Sequence, residues 1–219
     1  EVTIVRELHS ENPSEILWAS RWALALQNQV QLNLALGNDE TALAISRQSE
    51  QIFQMVLARD SSNNARMLEM IMIQMRTQRI LARSGTPVET MLALQGLQQV
   101  TQKMMQSPGS RRAWERVDAQ LQLRIGVCLM QLQQWAQGRQ KIQDAQERLE
   151  GMLLTTPANF QARVTLLEAL LARSELEESS GNRDLARQSC ERGLVLARDL
   201  AQSAVEYRVL DPWLKLNLC

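Results

Sequence analysis

A period of 48 residues runs through this chain and limits what it can fold into more than any other feature. The unit is clearest at residues 111–158, which read as two long helices joined by a short turn near Gln133 to Gly138. It can be laid down four times without a gap, over residues 15–62, 63–110, 111–158 and 159–206. The columns of this alignment carry the case. The ninth place holds Ala23, Ile71, Ala119 and Leu167, and the eleventh Ala25, Ile73, Leu121 and Ala169. The eighteenth holds Leu32, Ile80, Cys128 and Leu176. Near the end of each unit stand Val56, Met104, Met152 and Leu200, followed by Leu57, Met105, Leu153 and Ala201. Every one of these residues is apolar in a chain that is 45% hydrophobic, so chance is a poor explanation.

Two further columns say how the helices meet. Ala42, Thr90, Gly138 and Ala186 are all small, as a close crossing of two helices requires. Gly37, Gly85 and Gly181 share the turn column, where glycine tolerates the left-handed backbone that ends a helix; the third unit has Gln133 there. A supersecondary unit repeated at fixed spacing buries its apolar face by stacking on its neighbours. The expected fold is therefore all-α, a solenoid of antiparallel helix pairs with nine or ten helices and no sheet. Four full units are expected, with partial units at residues 1–14 and 207–219.

Composition removes several function classes. The chain has 219 residues and a formal net charge of zero, so no global field draws it to nucleic acid or an anionic membrane. No apolar run approaches the ~20 residues of a membrane span. Cys128, Cys190 and Cys219 are odd in number and widely spaced, with no CxxC and no paired histidine beside them. They suggest neither a disulfide framework nor a zinc site, and Cys128 falls in an apolar column as a small buried hydrophobe. Cysteine usage leans towards a reducing compartment, with the periplasmic side of a membrane-anchored regulator as the alternative to the cytoplasm.

Residues 1–14 look like the tail of a preceding helix pair, with Pro13 in register, within a residue, with the turns at Pro108 and Pro157 two and three periods on. His9, the sole histidine, is expected on the surface, without the partner that acid–base chemistry needs. Met67, Met70, Met72 and Met75 could form an adaptable docking face, but core filling is the expected role. Glu175, Glu177 and Glu178 read as a solvated face at a helix end. The closing segment has Asp211 and Pro212 as a helix start and Trp213 to Cys219 as two turns, which suggests a fifth pair that continues past Cys219.

With this register the chain resembles the tetratricopeptide repeats, in a form with long helices. Gly37 and Gly181, each followed five residues later by a small residue, match that family's turn glycine and inter-helix alanine. Gly126 matches its close-packing glycine, although Val30, Gln78 and Ser174 stand there in the other units, and Pro13 and Pro157 match its inter-repeat proline. Asn159, Trp18 and Trp114 look like the Asn-x-x-Trp opening of such repeats in bacterial multidomain signalling proteins, where the arrays adjoin kinase or winged-helix domains. The resemblance implies a concave face lined by first helices. Its groove positions fall on Leu24, Gln27 and Gln31; Met72, Met75 and Arg79; Gln120, Leu123 and Val127; and Glu168, Leu171 and Glu175. Amide, apolar and scattered charge suit a peptide or helix better than phosphate or metal, although the apolar members could equally pack core.

The motif search returns no phosphate loop, GxSxG elbow, HExxH or calcium loop. Carboxylates alternate with Arg and Gln, the pattern of exposed helix faces. Arg111, Arg112 and Arg116 beside Trp114 form the one combination that could suggest nucleic acid. No catalytic residue, cofactor or metal is expected of this segment, nor any nucleic acid or membrane partner. The expectation is a protein-interaction module of a larger regulatory protein, with a protein or peptide in its groove. Its rival is a self-association scaffold that sets the oligomeric state of an attached effector domain.

Overall fold

The computed structural model describes residues 2–13, 15–83, 85–106 and 111–207, with side chains as far as residue 202. The described residues form nine α-helices and no strand: α1 Val2–Glu11, α2 Ile16–Ala35, α3 Asp39–Arg59, α4 Asn64–Arg83, α5 Pro87–Met105, α6 Arg111–Gln131, α7 Trp135–Thr155, α8 Phe160–Ser179 and α9 Arg183–Tyr207. Among them no helix is long and apolar enough to cross a membrane. The turn at Pro108 and the segment from Asp211 to Cys219 lie outside the described residues.

Helix ends recur with the sequence period. Three first helices are capped by the first residue of their unit. Glu15 accepts from Leu17 N–H, Asn63 from Ala65 and Arg66 N–H, and Asn159 from Ala162 N–H. A side-chain oxygen here satisfies amides that the first turn leaves without an intrahelical partner. The left-handed positions among the described residues are Gly37, Gly85, Gln133 and Gly181, spaced by 48 throughout. At three of them the bonding is the same: Asn38, Gln134 and Asn182 N–H reach back to the carbonyls of Asn33, Leu129 and Glu177 at 2.8–2.9 Å. This is the Schellman closure, which needs one left-handed residue. Gln133 takes it at φ 60° despite its side chain. The third turn is short, so α7 starts at Trp135 and Gly138 lies inside a helix instead of the expected loop.

The chain divides into two compact units, residues Glu1–Thr86 and Pro87–Cys219. The second sequence repeat thus gives α4 to the first unit and α5 to the second. In the first unit α1 packs on α2, α2 on α3 and α3 on α4. Its core joins Ala19, Ala23 and Leu26 of α2 to Ile52, Phe53 and Val56 of α3 and to Met70 and Ile73 of α4. In the second unit α5 packs on α6, α6 on α7, α7 on α8 and α8 on α9. Its main core joins Ala119 and Leu123 of α6, Ile142, Ala145 and Leu149 of α7, and Leu166, Ala169 and Leu170 of α8.

The ninth and eleventh columns are buried in all four repeats, as is the small column Ala42, Thr90, Gly138 and Ala186. The eighteenth is not uniform: Ile80, Cys128 and Leu176 are buried, whereas Leu32 is 54% exposed near the end of α2. Met70 and Met75 are buried and Met67 and Met72 half-buried, so these methionines largely fill core.

Candidate functional site

The four first helices place the twelve expected groove residues in three environments. Gln27, Met75 and Leu123 are buried, and none of them offers a surface. Gln31, Met72, Arg79, Gln120, Val127, Glu168 and Leu171 are half-buried, while Leu24 and Glu175 are exposed. Gln27 is held by Arg76, whose guanidinium donates to Oε1 at 3.4 Å. Glu168 is engaged inside the molecule: Arg124 of α6 donates to it at 2.5 Å, with both side chains mostly buried. The charged pair thus spans two helices of one unit and faces inward, which the alternation of charge along α8 does not reveal.

Other carboxylates assigned to solvent also turn inward. Glu177, expected on a solvated face, is buried, with Arg139 donating at 2.9 Å and Asn182 Nδ2 at 2.8 Å. Its neighbours Glu175 and Glu178 are exposed as expected. Asp118 is buried on α6 and pairs with Arg148 of α7. Each lies on a helix face that meets a neighbouring helix carrying an arginine, and single-helix periodicity is blind to that neighbour. His9 is half-buried against Trp22, ring centroids 5.6 Å apart, instead of lying free on the surface. Burial pushes the Cys128 thiol up to about 11, although nearby Arg124 works the other way. It behaves as the inert small hydrophobe that its column predicts.

A groove of about 1310 Å³ lies in the second unit, away from the expected groove positions. It forms where α5 ends, α6 begins, α7 ends and α8 begins. The last turn of α5 supplies Gln102, Met105 and Gln106, and the end of α7 supplies Gly151, Met152, Thr155 and Thr156. The first turns of α6 contribute Arg111, Arg112, Glu115 and Arg116, and Arg148 adds a further guanidinium from α7. Four arginines therefore face one glutamate around an amide and methionine floor.

These arginines differ in what already occupies them. Arg111 Nε donates to Glu115 at 2.8 Å, one helical turn on. Arg148 is committed to Asp118. Arg112 is exposed and Arg116 half-buried, and no carboxylate among the described residues pairs with either. Burial alone moves the Arg116 guanidinium below its ordinary value. Trp114, beside them in sequence, is fully buried and lines no part of the groove. A base could not stack on it, which removes the aromatic half of the nucleic-acid combination.

A smaller hollow of about 420 Å³ lies between α8 and α9. Its charged residues are already used, Arg192 by Glu150 at 2.6 Å and Asp199 by Arg163. Among the described residues no group of His, Cys, Asp and Glu could hold a metal ion. No family model matches the chain, and no curated protein sequence matches it.

Proposed function

We propose that this chain is a helical-repeat module of the tetratricopeptide type that binds a protein or peptide segment on behalf of a larger regulatory protein. The architecture proposed with it is a solenoid of antiparallel helix pairs. The observation that carries the binding role is the groove at the α5–α6 and α7–α8 ends. Its volume of about 1310 Å³ exceeds the roughly 300–1,000 Å³ of small-molecule pockets. It is lined by arginine, amide and methionine side chains, which suit an extended polypeptide. The order of contacts supports paired helices: Gly126 meets Gly138 close to the turn, and Asp118 meets Arg148 far from it. Selection of a random peptide library on the intact 219-residue chain tests the role. Enrichment of related sequences that bind a monomeric chain supports it, and failure to enrich any peptide contradicts it.

Self-association is the second reading, and one observation favours it. Leu17, Leu24 and Leu32 of α2 are all large, apolar and exposed, spaced by seven and eight residues. Two such faces could bury each other. Light scattering decides between the readings, because a monomer at high concentration rules against the scaffold.

A further inference from the structure

The groove's arginines set the chemistry that a partner must carry. We infer that the groove takes an acidic peptide segment whose carboxylates pair with Arg112 and Arg116 while an apolar side chain rests between Met105 and Met152. This inference rests on the peptide-binding reading and adds to it the chemistry of the partner.

Arg112 and Arg116 stand four residues apart on α6, so both project from the same helix face. The two remaining guanidiniums of the groove are held by Glu115 and Asp118. Those contacts fix the surround and leave two positive groups to meet a ligand. Arginine forks pair with carboxylates through two parallel hydrogen bonds, stronger than contacts between neutral groups. The start of α6 adds the partial positive charge of a helix N-terminus at the same end of the groove. Because Arg116 is half-buried, a carboxylate that reaches it is partly shielded from water, and the attraction is screened less than at an open surface.

An acidic peptide fits better than a nucleic acid strand. Among the described residues that line the groove there is no lysine and no aromatic side chain. Single strands are held by a basic track with aromatic platforms, and Trp114 is inside the core. The chain as a whole is electrically neutral, so the positive character is local to this groove and spans only a few residues of a ligand. Met105 and Met152, both half-buried, supply polarisable apolar contact from facing helix ends.

The test is fluorescence anisotropy of the intact chain with a labelled twelve-residue peptide in which Asp and Glu flank a central leucine. Three comparisons accompany it: the same peptide with Asn and Gln in place of the acids, a single-stranded RNA of matched charge, and the Arg112→Gln/Arg116→Gln chain. The acidic peptide is expected to bind, with the amide peptide and the double variant each weaker by at least about tenfold. Arg112→Gln alone changes an exposed side chain; it should weaken binding with an unchanged melting curve, so loss of fold cannot account for the result. Equal binding of acidic and amide peptides overturns the inference, as does an unaffected double variant. Binding of the RNA alone overturns it in favour of a nucleic-acid surface. If library selection enriches peptides with no acidic bias, this inference fails and the interaction module stands. If it enriches none, both fail.

Discussion

Gly126 of α6 and Gly138 of α7 press backbone against backbone: a Cβ on Gly126 would lie 3.1 Å from the Gly138 carbonyl oxygen, and one on Gly138 would lie 3.0 Å from that of Gly126. The same two columns cross in other repeats with different chemistry. Val30 and Ala42 share a buried cluster in the first unit, and Ser174 Oγ donates to the Ala186 carbonyl at 3.0 Å in the second. In these three repeats a crossing point recurs, twelve residues apart about the turn, while its filling varies. Helices whose side chains at the contact are small approach more closely, so the glycine pair marks the tightest version.

Gly126→Ala should destabilise the chain by about 1–3 kcal/mol, because its new methyl would also lie 2.8 Å from Ile142 Cγ1. Gly96→Ala is the matched control. It sits inside α5 with open space around the added methyl, so helix propensity alone should act and stabilise by about 0.5–1 kcal/mol. Thermal melts of the two variants should move in opposite directions. A neutral Gly126→Ala would mean that α6 and α7 cross elsewhere.

Gln133→Gly should stabilise the protein. Gln133 adopts φ 60°, a left-handed conformation that costs a non-glycine residue roughly 1–2 kcal/mol, while its three period-mates are glycines. Part of that cost returns as glycine's greater freedom in the unfolded chain. A net gain of about 1 kcal/mol, near 2–4 °C in melting temperature at this size, is expected. A fall in melting temperature would place Gln133 in some other conformation.

The turn at Gln133 also shows why much of the fold could be read from residues alone. Three glycines at a fixed interval mark the turn column, and Gln133, which stands in it in the third repeat, adopts the same left-handed conformation without being a glycine. Columns of apolar residues likewise located the buried layers at Ala23, Ile71, Ala119 and Leu167. What the columns could not show is pairing between helices far apart in sequence. Glu168 and Glu177 look like ordinary exposed acids on α8, and only the approach of Arg124 and Arg139 turns them inward. The candidate groove was illegible for the same reason. Arg111, Arg112 and Arg116 were visible as a cluster, but Arg148 and Met152 join them only when α7 ends beside the start of α6.

Glu168→Lys, at one of the expected groove positions, should destabilise the second unit. It would set a lysine against Arg124 at a contact where both side chains are mostly buried. Breaking a buried pair and leaving one charge uncompensated typically costs about 3–5 kcal/mol. Chemical denaturation should show the loss, and Glu168→Lys with Arg124→Glu should recover part of it. An unchanged midpoint for the single variant would contradict the pairing.

Glu50 of α3 gives a pH-dependent test in the first unit. Burial raises its pKa above the ordinary carboxylate value of about 4.3, more than the nearby Thr77 hydroxyl and Arg47 lower it. A carboxyl whose folded pKa lies above its unfolded one destabilises the native state once pH climbs through that range, and does nothing when both states are protonated. Glu50→Gln should therefore raise the melting temperature at neutral pH. Its advantage should shrink and vanish as the pH drops below about 4. An advantage that grows on acidification would reverse the sign and refute the assignment.

The central claim is that repeated helix pairs build a groove that holds a peptide segment, and hydrogen exchange tests it most directly. Backbone exchange of the intact chain is measured by mass spectrometry, alone and with the acidic peptide. The account predicts slower exchange at residues 102–106, 111–116 and 148–156, with residues 15–83 of the first unit unchanged. Slowing confined to the first unit, or no slowing at saturating peptide, would contradict it.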